Sequence, residues 1–352
     1  MNNSSTYRIL GLMSGTSLDG VDLANCIISY EKNQKWIYEI LETITVPYPS
    51  DWLKRIEVAY QNNQYDFDTL SVDYANYLAD IILYHTKNWE YDYIASHGHT
   101  ILHQPKNGIT LQIGDGKTLT ERLQKTVIFD FRTQDVALGG QGAPLVPIGD
   151  LLLFAEFDFC INLGGFANVS YLRDDENMVA YDICPINFVL NELSNRLGFA
   201  YDDGGKLAKK GKLIPELYRQ LNALPYYREN PPKSLGREWV EKHINPFIQS
   251  HDILDLLHTY TLHTAYQISK ILPDDNKKVL FTGGGTYNDF LIDEIRLLRP
   301  SLEFVIPDSI VIDYKESLIF AFLGVLKLRN EVNTLASVTG ASKNHSGGKV
   351  VG

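Results

Sequence analysis

Tyr7-Arg8-Ile9-Leu10-Gly11-Leu12-Met13, then Ser14-Gly15-Thr16-Ser17-Leu18-Asp19-Gly20, then Val21-Asp22-Leu23-Ala24-Asn25-Cys26-Ile27-Ile28: an apolar run, a glycine-rich turn and a second apolar run. Aliphatic and β-branched residues bounded by Gly and Ser read as strand, turn and returning strand. A third run, Trp36–Val46, completes an antiparallel meander. The pattern returns about 150 residues later as Phe157–Leu163, the turn Gly164-Gly165, Phe166–Leu172 and Met178–Ile183. An internal repeat of this kind predicts two similar α/β halves with a cleft between them.

Working outward, residues 50–89 carry helical spacing through Leu53, Ile56 and Ala59, and again through Leu70, Tyr74, Tyr77, Leu78, Ile81 and Ile82. Further helices are predicted over 187–197, 213–224, 237–249, 253–271, 286–296 and 315–331. Lys278–Thr282 reads as a strand that runs into the turn Gly283-Gly284-Gly285 and a helix start. The Gly/Pro-rich stretch Ala137–Pro147 is the expected hinge or crossover. That places one domain at 1–136 and the other at 137–352, leaving open a return of the last helix to the first. The tail from Thr334 is expected to fray at its end.

Thirty-two Lys and Arg against 43 Asp and Glu give a net charge of −11 over 352 residues. No stretch concentrates the cations that phosphate-backbone neutralisation needs, so a nucleic-acid partner is not expected. Cys26, Cys160 and Cys184 are too few and too scattered for a disulfide framework or a four-cysteine zinc site. The first residues lack a cationic leader, and no uncharged apolar stretch approaches ~18 residues, so no membrane partner is expected and a cytoplasmic location is.

Three glycine turns follow apolar strands: Gly15 to Gly20, Gly164-Gly165, and Gly283 to Gly285. Backbone without Cβ can approach phosphate oxygens and aim successive N–H groups at them. Each turn alone is equally an ordinary hairpin; three together favour nucleotide binding. No G-x-x-x-x-G-K-[ST] is present, nor a G-x-G-x-x-G in a βαβ setting, which disfavours P-loop and Rossmann readings.

The run Gly11–Asp22 resembles the signature of the bacterial anhydro-N-acetylmuramic acid kinase family, within the sugar kinase, heat-shock ATPase and actin superfamily. The likeness continues through Ser96–Thr100, Asp130–Arg132, Gly139–Pro147, Asn162–Val169, Pro231–Glu238, the Gly283 triplet and Val338–Ala341, in the family's order. It implies two actin-like (ribonuclease H-like) domains around an ATP- and sugar-binding cleft. It further implies ATP and Mg²⁺ as cofactors, a homodimer, and a reaction in which water opens the 1,6-anhydro ring of the muramic sugar while O6 takes the γ-phosphate. ATP would be held by Gly15-Thr16-Ser17-Leu18-Asp19-Gly20-Val21-Asp22, Gly164, Gly165, Gly283, Gly284 and Gly285, with Ser14, Thr16 and Ser17 offering hydroxyls and Asp19 or Asp22 orienting Mg²⁺ through water.

The water-activating carboxylate carries over to Asp182, in Asp182-Ile183-Cys184-Pro185-Ile186-Asn187. The family pattern there resembles Asp-Thr-Gly-Pro-Gly-Asn, so Ile183, Cys184 and Ile186 depart from it, and their bulk is expected to narrow the sugar pocket. By position alone, Asp182 is either a base presented at a strand end or a helix N-cap. Arg132 is expected on the lactyl carboxylate, or else paired with Asp130 or Asp135. His97, Asn168, Asn187 and Glu316 are the other expected sugar contacts. His97, His99 and His103 lack the partner a zinc site needs, and Lys206–Lys212 reads as a solvated face. Rival readings are a same-fold kinase for another sugar or carboxylate, a non-catalytic sugar- or nucleotide-binding regulator, and a His-rich metallohydrolase.

Overall fold

The computed structural model describes residues 5–15, 18–32, 34–62, 65–273 and 275–352. In chain order the first elements are β1 (Ser5–Met13), β2 (Val21–Tyr30), β3 (Trp36–Val46), α1 (Ser50–Gln61), α2 (Phe67–His85), β4 (Tyr93–Ser96), β5 (His99–Gln104), β6 (Ile109–Ile113), α3 (Gly116–Leu123), β7 (Thr126–Phe129), α4 (Thr133–Ala137) and α5 (Pro147–Leu153). There follow β8 (Phe159–Leu163), β9 (Phe166–Leu172), β10 (Met178–Pro185), α6 (Asn187–Asn195), α7 (Pro215–Asn222), α8 (Arg237–His243), α9 (Ile253–Ile271), β11 (Lys278–Thr282), α10 (Asp289–Leu298) and β12 (Glu303–Val305). The chain closes with α11 (Ser309–Leu328), α12 (Ala336–Thr339) and β13 (Lys349–Val351).

Contacts divide the chain into a first unit of residues 1–153 and 314–352 and a second of 154–313. The division falls at 153/154 and within α11, not at 136/137. The glycine-rich stretch that looked like a hinge is tied into the first unit. Buried Asp135 accepts hydrogen bonds from Gly142 N (2.7 Å) and Thr339 Oγ1 (2.7 Å), and Gln141 N donates to Thr339 O (2.8 Å).

The first unit's main sheet runs β13-β7-β4-β1-β2-β3, and the second unit's β10-β9-β8-β11-β12. In each, a three-strand antiparallel meander is extended by two parallel strands, β4 and β7 or β11 and β12, beside the meander's first strand. This is the actin-like, ribonuclease H-like strand order, once per unit. The first unit inserts the β5–β6 hairpin between β4 and β7. The second inserts α6 to α9 between β10 and β11.

Alternation along β1 explains the first core. Leu10 and Leu12 join Leu70, Tyr74 and Leu78 of α2 and Ile56 of α1 on one face. On the other, α11 lies so close that a Cβ on Gly11 would sit 2.1 Å from Ser317 O, which is why the strand carries glycine there. The second core packs Ile161, Leu163 and Val169 against Val189 and Leu193 of α6, Leu257 and Tyr260 of α9 and Leu291 of α10. The tail does not fray: β13 pairs antiparallel with β7, and Gly347 N donates to Asn333 Oδ1 at 2.6 Å. Among the described residues no helix is long and apolar enough to cross a membrane. All three cysteines are buried thiols, with burial pushing Cys26 and Cys184 far up.

Candidate active site

In the second unit the sequence places a polar row across the sheet. Thr282 of β11 is in register with Asn162 of β8, Asn162 with Asn168 of β9, and Asn168 with Asp182 of β10. Residues in register share a face, and their neighbours Ile161, Leu163, Ala167, Val169 and Phe281 face the core instead. Asp182 is half-buried and lies within β10, three residues before the strand's end. It is not a helix cap; Ile186 occupies that position on α6. Its Oδ2 accepts from Leu235 N at 2.9 Å, and its carbonyl accepts from Tyr226 Oη at 2.6 Å. Burial raises the carboxyl above the usual range, opposed by the Leu235 N–H. A half-buried carboxylate so raised is suited to accept a proton.

The side chains of Ile183 and Ile186 and the Cys184 thiol, expected to crowd the sugar, are instead buried in the core. The ladder shifts register between Asp182 and Cys184, a bulge that turns the residues after Asp182 inward. Their bulk is taken up by the core.

The row ends beside two glycine turns, because β8 and β11 are parallel neighbours and both turns leave at the same strand ends. Gly283 adopts φ +81°, and a Cβ on it would meet Asn162 Oδ1 at 2.5 Å; one on Gly285 would meet Leu163 Cβ and O at 2.8 Å. Gly284 and Gly165 have open space instead. The Gly164 and Gly165 carbonyls accept from the first N–H groups of α6: Ile186 N to Gly165 O is 2.8 Å and Asn187 N to Gly164 O is 3.4 Å. Asn187, expected on the sugar, donates Nδ2 to Leu163 O at 3.1 Å, which ties it to the glycine turns rather than to Asp182.

In the first unit, Thr16 and Ser17 lie outside the described residues. Ser14 is buried, and its hydroxyl donates to Gly98 O at 2.7 Å, so it points away from any phosphate role. In the same turn Gly15 O accepts from Leu18 N at 3.3 Å, Asp19 is exposed, and Gly20 and Val21 are buried as β2 begins. Asp22, half-buried on β2, accepts from Thr45 Oγ1 at 2.6 Å. Glu316, on α11, has its carboxyl raised by desolvation first and Asp22 second, against Arg132 and Lys315. The four charged groups are thus one neighbourhood.

Arg132 pairs with neither Asp130 nor Asp135. Its Nε and Nη2 donate to His97 Nε2 at 3.0 and 2.9 Å, and Nη1 donates to Gly142 O at 2.6 Å. A guanidinium on Nε2 requires a neutral imidazole with its proton on Nδ1. Burial first, then Arg132, holds His97 well below its usual range. Burial brings the guanidinium down to about 10. Asp130 instead pairs with Lys349. His99 bonds Tyr60 Oη at 2.7 Å and Tyr48 Oη at 3.3 Å, and His103 bonds Thr110 Oγ1 at 3.2 Å, so the three imidazoles have separate partners. Among the described residues no group of three or more His, Cys, Asp or Glu is arranged to hold a metal.

Sequence reasoning missed Asn162, whose register between Thr282 and Asn168 needs the sheet order, and the Tyr226–Leu235 segment around Asp182. It also left Asp202 without a role. That carboxylate caps the turn after it, accepting from Leu207 N (2.7 Å) and Ala208 N (2.8 Å), while Lys206, Lys209, Lys210 and Lys212 are exposed.

Comparison with known proteins agrees with the likeness read from the sequence. The family model described as anhydro-N-acetylmuramic acid kinase matches residues 7–351. A protein of that name from Francisella tularensis subsp. novicida (strain U112) is 36% identical, covering 96% of this chain and 97% of its own. One from Gloeobacter violaceus is 35% identical over 95% and 96%, and one from Bacillus thuringiensis subsp. konkukian 33% over 96% and 97%. Among solved structures, an activator of the 2-hydroxyisocaproyl-CoA dehydratase from Clostridium difficile with bound ADPNP is matched at TM-score 0.39 and 13% identity, over 92% of this chain and 97% of that one, too distant to add to the strand order. The chain belongs to the anhydro-N-acetylmuramic acid kinase family.

Proposed function

We propose that this kinase opens the 1,6-anhydro ring of 1,6-anhydro-N-acetylmuramic acid with water and phosphorylates O6 from ATP, with Asp182 as the base. The observation that carries the reading is the Asp182 carboxylate, half-buried, with Oδ2 held at 2.9 Å by Leu235 N, on a sheet face whose polar row leads to the Gly283 turn. Water attacks C1 while Asp182 takes its proton; the C1–O6 bond breaks, and O6 attacks the γ-phosphorus, releasing ADP. The product carries the new hydroxyl at C1 and the phosphate on O6, and Asp182 returns its proton to solvent. A positioned base is worth roughly 10²–10⁴ in rate.

The turns Gly164-Gly165 and Gly283–Gly285, with Gly15–Asp22 in the first unit, are the proposed phosphate contacts, because phosphoryl transfer relies on positioning and charge neutralisation. Mg²⁺ fits as an ion carried mainly by the phosphates. Asp22, whose charge already raises Glu316, and exposed Asp19 are the carboxylates available to its water shell. When bound, the ion neutralises charge on the phosphate oxygens. Arg132 retains N–H groups beyond those given to His97 and Gly142, and these suit a sugar carboxylate.

The test incubates the protein with Mg-ATP and the anhydro sugar in ¹⁸O-water. A 6-phosphorylated sugar labelled at C1 is expected. Absence of any sugar phosphate overturns the reading, and phosphate without label overturns the role of water.

A further inference from the structure

Beyond the Leu235 N–H, the motif Pro231-Pro232-Lys233-Ser234-Leu235-Gly236-Arg237-Glu238 has no part in the reaction as described, yet it is the segment that grips Asp182. β10 is the edge of its sheet, and its ladder with β9 is interrupted by the register shift just after Asp182. On the open side the backbone of this segment takes the place of a further strand. Asp182 N donates to Lys233 O at 3.4 Å, and Leu235 N donates to Asp182 Oδ2 at 2.9 Å. Tyr226 Oη donates to the Asp182 carbonyl at 2.6 Å. Lys233 closes the ring: Nζ donates to Tyr226 O at 3.0 Å and stands 4.5 Å over the Tyr226 ring.

We infer that Lys233 and Tyr226 are positioning residues for Asp182, forming with Leu235 a clamp that fixes one carboxylate oxygen and presents the other for proton transfer. The inference rests on Asp182 being the base. An edge strand with a bulge is the most pliable part of a sheet, so an unclamped Asp182 would sample several orientations. An ångström of misplacement can cost about a hundredfold in rate. Lys233 acts through Tyr226 and the chain direction of its own loop, so its loss releases Asp182 at the backbone and at Oδ2 together.

The experiment compares full-length wild type, Lys233→Met, Lys233→Arg and Tyr226→Phe. Lys233→Met keeps the apolar stem and Tyr226→Phe keeps the ring, so each removes its polar contact with little change in packing. Turnover should fall roughly ten- to hundredfold in Lys233→Met and in Tyr226→Phe, with the KM for ATP changed less than twofold, and Lys233→Arg should restore most of it. The second readout needs no turnover: ¹³C-aspartate NMR follows the Asp182 carboxyl, assigned by its disappearance in Asp182→Asn. Loss of the Leu235 N–H should move its titration upward in Lys233→Met and not in Lys233→Arg. An unmoved or lowered titration in Lys233→Met overturns the clamp, as does unchanged turnover in both variants. A wild type inert on the sugar overturns the proposed function, while the titration still decides the clamp.

Discussion

The two units share one strand order and use it differently. In the second, the proposed chemistry sits on the meander itself: Asp182, Asn168 and Asn162 are ladder residues in one row, and a two-residue turn, Gly164-Gly165, is locked by the first N–H groups of α6. In the first, the matching strands mainly build the core, with Asp22 at the start of β2 the proposed exception. Leu10, Leu12 and Leu23 fill a core, and Ser14 is buried under Gly98. Most of that unit's polar groups lie beyond the meander: His97 just after β4, Arg132 after β7, and Glu316 on α11. Groups borne on a ladder are held by backbone in a narrow geometry, which suits a base. Groups borne at strand ends and on a helix suit recognition of a ligand.

The most direct way to break that contrast is one substitution per unit. Asp182→Asn keeps size and hydrogen bonding while removing the proposed base, and should lower kcat by about 10²–10⁴ with ATP binding intact by calorimetry. Arg132→Ala should instead raise the KM for the sugar, by an amount in keeping with a lost charge-assisted hydrogen bond of about 1.5–3 kcal/mol. Steady-state kinetics separates them. An Arg132→Ala enzyme with normal KM and collapsed kcat would sink the assignment of recognition to the first unit.

The next effect concerns stability. The first unit buries an ion pair between α11 and α5, Lys315 Nζ to Asp150 Oδ1 at 2.6 Å, each side chain 5% exposed. The ion pairs of the second unit, such as Arg237 with Glu241 at 75% and 51% exposed, lie at the surface. Removing one partner of a buried pair leaves an uncompensated charge and costs about 3–5 kcal/mol, whereas exposed pairs contribute about 0–1 kcal/mol. Lys315→Met should therefore lower the denaturation midpoint strongly, and Arg237→Met hardly at all. Because Lys315 also opposes the raised carboxyl of Glu316, Lys315→Met should move that group further up.

The same contrast explains what was legible beforehand. Both meanders could be read because period-2 strands and glycine turns are local signals; Trp36–Val46 and Phe166–Leu172 fall where the pattern put them. Helix α9 likewise spans 253–271 as expected, started by Asp252, whose carboxylate accepts from Leu254 N. What escaped depends on contacts distant in sequence. Leu235 meets Asp182 across 53 positions, and β13 is a strand only because β7 offers an edge. The inward turn of Ile183, Cys184 and Ile186 follows from a bulge that has no sequence mark of its own. Ser14 looked like a phosphate ligand because its burial under Gly98 could not be seen from the turn.

Acid should separate the units by a smaller margin. The first unit buries His97 and His99, held well below the usual range and down to about 4, both chiefly by burial. The second buries His263, held down to about 3 by burial. A depressed folded value means the neutral form is bound into the fold. That stability is present above the unfolded value near 6.5 and is lost as pH falls toward the folded one. The first unit also carries His103, lowered by burial first and then by Arg132, so the loss should be larger there than in the second. The raised carboxyls, Glu316 in one unit and Asp182 in the other, work in the opposite direction. Hydrogen exchange resolved by peptide between pH 7.5 and 5.5 should show the first unit losing protection faster. Equal losses would mean that the imidazoles do not set the acid response.

The smallest expected effect on the fold is the sharpest probe of the glycine turns. Gly283 and Gly285 are needed for packing, since a Cβ on either would meet Asn162 or Leu163 inside 3 Å. Substituting them confounds fold with function. Gly165 is different: a Cβ there has open space for 4 Å. Gly165→Ala should leave thermal stability within about 0.5 kcal/mol of wild type, the range of surface changes that disturb no specific feature. If the turn approaches phosphate through bare backbone, the added methyl stands where the ligand comes closest. The KM for ATP should then rise about tenfold, equivalent to about 1.4 kcal/mol, while the KM for the sugar stays unchanged. Unchanged ATP kinetics in a fully stable Gly165→Ala would remove Gly164-Gly165 from the nucleotide site and leave the Gly283 turn as the second unit's remaining phosphate contact.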